Sequence, residues 1–149
     1  MPAAPATTRW RSLLLPLPHD RLPERVVRCL IGLSLFGFGI SCFLTAELGV
    51  APWDVFPQGL ERKTGIPIGI IIEITGVFIL LLWIPLRERV GLGTLLNAVQ
   101  IGLVVFLIGD RLPHTDLLAL RVLYMFGGLL SIAVGSGLYI GAGLGSGPR

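Results

Sequence analysis

Residues 29–46, CLIGLSLFGFGISCFLTA, form a run of 18 residues without a formal charge. Two more uncharged runs cover residues 90–109 and 122–148, and residues 64–86 are uncharged except for Glu73. The hydrocarbon core of a bilayer is about 30 Å thick, a distance that roughly 20 residues of α-helix can cross. The runs therefore predict four membrane-spanning helices, near residues 26–46, 67–86, 94–110 and 121–143.

The composition of the whole chain agrees with a membrane protein. Of the 149 residues, 53% are hydrophobic and only 14% are charged, and the mean hydropathy is +0.82. A soluble domain usually has about 25% charged residues, and a disordered chain is poor in apolar residues. The sequence therefore predicts an all-α, polytopic transmembrane helix bundle in contact with the lipid bilayer.

The remaining polar residues are too scattered for several other classes of function. The basic residues flank the apolar runs and do not alternate with aromatic residues, so we expect no nucleic-acid binding. The two histidines, His19 and His114, lie far apart, and Cys29 and Cys42 lie within one apolar run. We therefore expect no metal site, no cofactor and no enzymatic activity.

The distribution of arginine and lysine predicts the orientation in the membrane. Residues 1–25 are rich in proline and arginine, and they predict a flexible cytoplasmic tail ahead of a transmembrane domain over residues 26–149. With the N-terminus inside, the cytoplasmic segments hold eight basic residues and the outer segments hold four. Because short cytoplasmic segments carry the excess of positive charge, both termini are predicted to be cytoplasmic.

A shift of 96 residues brings the first and last spans into register without a gap. Gly32 and Gly39 then align with Gly128 and Gly135, and the spacing of seven places each pair on one helix face. The ends of the two copies also align, Ala46, Leu48, Gly49 and Pro52 with Ala142, Leu144, Gly145 and Pro148. Three spans separate the two starts, so the second copy enters the membrane from the opposite side. The pattern predicts a partial inverted-topology repeat, an arrangement found in many secondary transporters.

The segment after the first span, residues 47–67, is neither a further span nor a simple loop. It carries five charges but also several large apolar residues. Gly49 is suited to end the first helix, Pro52 suits a first helical position, and Asp54 would complement the positive end of a helix. We predict a short helix near residues 52–62 that lies at, or dips into, the outer membrane face.

Two interpretations of Trp53 and Asp54 are open. In the first, Trp53 is an interfacial anchor and Asp54 only stabilises the short helix. In the second, Asp54 and Gln58 line a polar vestibule, because residues four apart share a helix face.

Glu73 lies about one and a half turns into the second span, where an ionisable residue is costly and is a functional hypothesis by default. Alternatively, it reaches the outer interface, or is protonated and bonded to a neighbouring helix. Asn97 lies toward the cytoplasmic end of the third span, so we do not expect it to contact Glu73. Asp54, Gln58 and Glu73 are the candidate polar site.

Two groups of small residues are candidate structural motifs. Gly91 and Gly93 predict a turn before the third span, with Thr94 as the helix N-cap. In the fourth span, small residues four apart permit close helix approach. The candidates for this stripe are Gly137, Gly141 and Gly145. Their partner is either the Gly32 and Gly39 face of the first span or another protomer.

Three motifs resemble the signatures of a known family. They are LGVAPWD at residues 48–54 with QGL at 58–60, GLGTLLNA at 91–98, and LGSGPR at 144–149. They are similar to the YczE-like bacterial membrane proteins, related to the broader YitT group, over residues 25–149. The resemblance implies a multi-pass protein of the bacterial plasma (inner) membrane with uncharacterised activity. It also implies a longer protein with a complete second half, of which this chain would carry only the first helix.

The repeat and the resemblance together predict a transporter-like membrane protein of unknown substrate. One alternative is a non-transporting membrane subunit that supports or regulates a partner, and another is an inactive fragment of a longer family member. Partners would be a second copy of the chain or another membrane protein. A continuous path lined by Asp54, Gln58 and Glu73 would favour transport, whereas a lipid-facing Glu73 beside a closed core would favour the subunit.

Overall fold

The computed structural model describes residues 20–86 and 90–145. These residues form five α-helices: α1 Leu22–Ala46, α2 Val55–Thr64, α3 Ile68–Leu86, α4 Leu92–Ile108 and α5 Leu118–Gly141. A 3₁₀ turn, Gly109–Arg111, follows α4. Residues 1–19 of the predicted tail and residues 146–149 of the third motif lie outside the described residues.

Helices α1, α3, α4 and α5 are long and apolar enough to cross a membrane, which confirms the all-α transmembrane bundle. The ends of the helices differ from the predictions by a few residues. α1 begins at Leu22 because Pro23 lies in its first turn, where a missing N–H costs no hydrogen bond. α2 begins at Val55 and not at residue 52, because residues 52–54 form a turn ahead of it.

α1 is the central helix of the bundle. It contacts both α4 and α5, while α3 packs against α4, and the short α2 packs against α3. The buried core joins Cys29, Leu33 and Ile40 of α1 to Ile101 and Val105 of α4. Among the described helices, α5 therefore joins the bundle mainly through α1.

α1 and α5 run antiparallel and approach closely at two pairs of glycines. A Cβ atom at Gly32 would lie 2.7 Å from the carbonyl oxygen of Gly135, and one at Gly39 would lie 2.7 Å from that of Gly128. The shift of 96 residues equates Gly32 with Gly128 and Gly39 with Gly135. Gly32 therefore contacts Gly135, the counterpart of Gly39, and Gly39 contacts Gly128, the counterpart of Gly32. This is the reciprocal pattern that a two-fold axis produces.

Two arginines bind the ends of the same helices in the same reciprocal way. The Arg25 guanidinium donates to the carbonyl of Ala142 at 3.2 Å, and that of Arg121 donates to the carbonyl of Ala46 at 2.7 Å. The shift of 96 residues equates Arg25 with Arg121 and Ala46 with Ala142. Each arginine satisfies a carbonyl at the C-terminal end of the opposite helix, where a positive charge also complements the helix dipole.

The predicted glycine stripe of the fourth span does not pack against α1. A Cβ atom at Gly137 or Gly141 would meet no atom within 4 Å, and Gly145 lies beyond the end of α5. The prediction that Gly137 and Gly141 pack on the first span is therefore wrong. The glycines of α5 that face α1 are Gly128 and Gly135. Contact of the stripe with another protomer stays a prediction.

Candidate functional site

The segment between α1 and α3 brings one carboxylate into the bundle. Glu47 ends α1 in a left-handed conformation, and Gly49 follows with a φ of 141°. The chain then turns at residues 52–54 and enters α2. A hydrogen bond from the Ile68 amide to Glu61 Oε1, at 3.0 Å, ties α2 to the start of α3. Asp54, at the N-terminal end of α2, is only 4% exposed.

Asp54 lines a cavity of about 420 Å³ between the four long helices. Along α3 the cavity extends from Ile72 to Trp83, a rise of roughly 16 Å at 1.5 Å per residue. Its volume falls within the range of about 300–1,000 Å³ that is typical of small-molecule sites. The cavity is thus large enough for a solute and reaches through much of the bundle.

The lining of this cavity is apolar and aromatic with a few neutral polar groups. The aromatic side chains are Phe36, Trp53, Trp83 and Tyr139, and the neutral polar residues include Thr75, Thr94 and Asn97. Among the described lining residues, Asp54 alone carries a formal charge. An apolar pocket with a few convergent polar groups is the usual form of a ligand site.

The Asp54 carboxylate has no partner within the described part of the chain. Its backbone amide donates to Ala51 at 2.9 Å, but its side chain neither caps α2 nor forms an ion pair or hydrogen bond with any described residue. Burial raises the pKa of this carboxyl above its usual value, because a charge in a poorly hydrated place is unfavourable. This burial fits the lining of a cavity better than stabilisation of the helix alone, but a polar vestibule shared by Asp54 and Gln58 is not formed, since Asp54 lines a mostly apolar cavity and Gln58 lines another.

The structure separates the three residues of the candidate polar site. Gln58 lines a second cavity of about 790 Å³, together with Glu61, Arg62 and Asp110. The described residues that line the two cavities do not overlap. α2 lies between the two cavities: its first turn lines the cavity that contains Asp54, and its later turns line the cavity that contains Gln58.

Glu73 lines neither cavity and lies in the interface between α3 and α4. Its side chain packs against Gly102 of α4, where a Cβ atom would overlap it. One helical turn away, a Cβ atom at Gly69 would lie 2.6 Å from the Gly102 carbonyl oxygen, and one at Gly76 would lie 3.3 Å from Ala98. A continuous path lined by Asp54, Gln58 and Glu73 is therefore not present in the described residues.

The second motif packs against the end of the second repeat copy. Gly93 donates its amide to the Leu144 carbonyl at 2.9 Å, and a Cβ atom at Gly91 would overlap the backbone of Leu144 and Gly145. The prediction of Thr94 as N-cap is wrong, since Gly91 occupies that position. The Thr94 hydroxyl instead donates to the Gly145 carbonyl at 3.3 Å, because the chain that follows α5 passes beside this turn.

Sequence reasoning missed the contribution of Tyr139 to the cavity. Tyr139 lines the cavity from α5 and donates to the Gly145 carbonyl at 3.4 Å. Gln100 donates from Nε2 to Ser34 Oγ at 2.8 Å and joins α4 to α1. A glutamine inside an uncharged span was the available signal for that contact, since a polar side chain in a membrane bundle usually hydrogen-bonds to a neighbouring helix.

Potential metal ligands do not cluster in the residues that the structure describes. No group of three or more His, Cys, Asp or Glu residues lies close enough to hold an ion within residues 20–86 and 90–145. Cys29 and Cys42 are free and buried.

The bundle and its cavity are those of a polytopic α-helical membrane protein. Residues 23–149 match the model of a family of unknown function, DUF6198, and the chain belongs to this family. It is 35% identical over 120 residues to an uncharacterized protein of Haemophilus influenzae. It is 32% identical over 127 residues to the uncharacterized membrane protein YczE of Bacillus subtilis. These findings confirm the resemblance to the YczE-like proteins.

The chain spans about half the length of the curated relatives it matches. The similarity covers 80% of the chain and 55% of the Haemophilus influenzae protein, and 79% of the chain and 56% of YczE. No solved structure matches the chain.

The buried charge of Asp54 leads to a prediction about stability. Asp54→Asn is expected to raise the unfolding temperature of the ligand-free protein at pH 7 by about 2–4 °C, because burial disfavours the charged carboxylate and a neutral amide avoids that cost, on the order of 1 kcal/mol. A carboxyl whose pKa is raised by folding stabilises the protein fully below its unfolded pKa and loses that stabilisation as pH rises through its folded pKa. The difference between variant and wild type should therefore shrink on acidification.

The measurement is thermal unfolding in detergent at pH 7 and pH 5, with the exposed Asp116→Asn as the matched control. A lower unfolding temperature for Asp54→Asn than for wild type at pH 7 would contradict an unpaired carboxylate.

Proposed function

We propose that this chain is a transporter-like membrane protein whose solute binds in the cavity beside Asp54. The observation that carries the proposal is Asp54, a residue that is 4% exposed, whose side chain lacks a partner among the described residues and which lines a cavity between the spanning helices. Ionisable groups within a membrane bundle usually face a solute path or a water-filled space. A buried charge without a partner is costly for stability alone, and a solute would provide the partner.

The reciprocal contacts of α1 and α5 support an inverted repeat. A further contact joins the two helices: the Ser131 hydroxyl donates to the Leu35 carbonyl at 2.7 Å. The shift of 96 residues equates Leu35 with Ser131, so these two residues would lie on the pseudo-two-fold axis that relates the two copies. The C-terminal ends of the two copies also agree. Gly145 has a positive φ of 96°, as its counterpart Gly49 does. Many secondary transporters place their sites at such a repeat interface, beside interrupted helices.

The second candidate is a non-transporting subunit that supports a membrane partner. It is favoured by the open surface at Gly137 and Gly141 of α5, where a helix of a second copy or of another protein would approach closely. Glu73 does not line the cavity, which also fits this alternative.

The proposed location is the bacterial inner membrane with both termini in the cytoplasm. With four spanning helices, both termini would lie on the same side, and the excess of basic residues in the segments assigned to that side favours the cytoplasm.

Uptake by the purified protein tests the proposed function. Proteoliposomes would be incubated with a bacterial metabolite extract, washed, and analysed by mass spectrometry for solutes retained above protein-free liposomes. We expect at least one retained solute with wild type and with Asp116→Asn. Asp54→Asn should reduce its retention at least tenfold, because that substitution removes the charge from the cavity. Retention no higher than in protein-free liposomes would contradict transport and favour the subunit.

A further inference from the structure

The charge of the cavity restricts what it can hold. Asp54 supplies one negative charge, and no described lining residue is Lys, Arg or His. An anion in the same space would face an unpaired carboxylate where few groups screen the repulsion. The occupant that fits the cavity electrostatically is therefore a cation.

The surroundings of Asp54 leave its acceptor sites open to such a cation. The residue is 4% exposed, and its side chain makes no hydrogen bond or ion pair with any residue in the described ranges. The N-terminal end of α2, which directly follows Asp54, favours the ionised carboxylate. It does not occupy the carboxylate oxygens, since Asp54 makes no side-chain cap.

The rest of the lining favours an organic cation over a metal ion. A hard metal ion such as Ca²⁺ takes six to eight oxygen ligands, whereas the described lining offers one carboxylate among mostly apolar residues. Aromatic side chains attract organic ammonium groups through their ring faces, and quaternary ammonium ligands are typically held in this way. Four rings line the cavity: Trp53, which precedes Asp54 and is 72% exposed, Phe36 of α1, Trp83 at the end of the cavity away from Ile72, and Tyr139 of α5.

We propose that the cavity binds an organic monocation, an ammonium group on an apolar body, with Asp54 as its counter-ion. The inference rests on the proposed function in one respect, since it names the solute class of the same cavity. The ammonium group would lie beside the start of α2, and the apolar body would lie against α3 between Ile72 and Trp83.

Calorimetric titration of the purified protein tests this inference. The probe is benzyltrimethylammonium, and benzenesulfonate is the anionic counterpart of similar size. We expect the cation to bind wild type and Asp116→Asn equally and to bind Asp54→Asn at least tenfold more weakly, while benzenesulfonate binds none of them. Size-exclusion chromatography of Asp54→Asn confirms that the variant tested is folded.

Several results would overturn the inference. These are no binding of the cation to wild type, equal affinity of wild type and Asp54→Asn for it, or benzenesulfonate binding wild type as tightly as the cation. Binding of the cation as expected, without uptake into proteoliposomes, would contradict transport but leave the ligand class standing. Asp54-dependent uptake of an anion would contradict the ligand class alone.

An ammonium group is available both on soluble amines and on the lipid headgroup of phosphatidylethanolamine. Titration in nanodiscs separates these sources. If phosphatidylethanolamine abolishes probe binding that is present in phosphatidylglycerol alone, the natural occupant is the lipid headgroup. If phosphatidylethanolamine leaves probe binding unchanged, the natural occupant is a soluble amine. Either result supports an organic ammonium group as the ligand class.

Discussion

Gly32→Leu is expected to eliminate nearly all folded protein from the membrane. A Cβ atom at this position would lie 2.7 Å from the Gly135 carbonyl oxygen and 2.8 Å from the Tyr139 amide nitrogen. Both atoms belong to the backbone of α5, so no side chain can move aside to make room. Overpacking a rigid contact typically costs about 1–3 kcal/mol, and a leucine forced between two helix backbones should separate α1 from α5 outright.

The matched control for this substitution is Gly137→Leu. Gly137 is also a glycine of a spanning helix, but a Cβ atom there meets nothing within 4 Å. Membrane abundance and the size-exclusion profile of a fluorescent fusion would compare the two variants. Wild-type abundance of Gly32→Leu with an unchanged profile would contradict the close contact of α1 and α5. If Gly137→Leu folds but shifts to a smaller species, the open surface of α5 is an interface between protomers.

The spanning helices could be predicted because the membrane imposes a simple rule. A helix must remain apolar over about 20 residues to cross it, and three uncharged runs and one run interrupted by Glu73 alone satisfy that rule. Their ends were less predictable, since local turns decide them. Pro23 is tolerated in the first turn of α1, and the turn at residues 52–54 delays α2.

The glycine contacts were partly predictable. The spacing of seven between Gly32 and Gly39 correctly identified the face of α1 that meets α5. The spacing of four in α5 was misleading, because a stripe of small residues shows that a helix could approach and not which helix does. Which glycines face α1 depends on the rotation of α5, and that rotation follows from contacts distant in sequence, such as the arginines at the two helix ends.

Of the candidate polar site, only the place of Asp54 in the cavity could be predicted from the sequence. Asp54 could be singled out as an acid beside an interrupted helix, but its four-residue spacing to Gln58 says nothing about what surrounds each turn. α2 lies between two cavities, so the two residues line different ones. The contributions of Trp83 and Tyr139 depend on how α3 and α5 are placed around α1, which the local pattern of either helix does not contain.

We propose that the Asp54 cavity lies on a solute path across the membrane, and the accessibility of cysteines in the cavity distinguishes such a path from a closed cavity. Asn97 lines the cavity, whereas Phe78 of α3 is exposed on the outside of the bundle and is not among the lining residues. Each would be changed to cysteine in a background in which Cys29 and Cys42 are replaced by alanine. Both variants would then be treated with a charged, membrane-impermeant thiol reagent in intact cells and in inside-out vesicles.

We expect Asn97→Cys to be labelled from both sides, because a transport path opens in turn to each, and Phe78→Cys to be labelled from neither, because lipid covers it. Protection of Asn97→Cys by benzyltrimethylammonium would place the bound cation in the same space. Labelling of Asn97→Cys from only one side, or from neither, would contradict a solute path through this cavity.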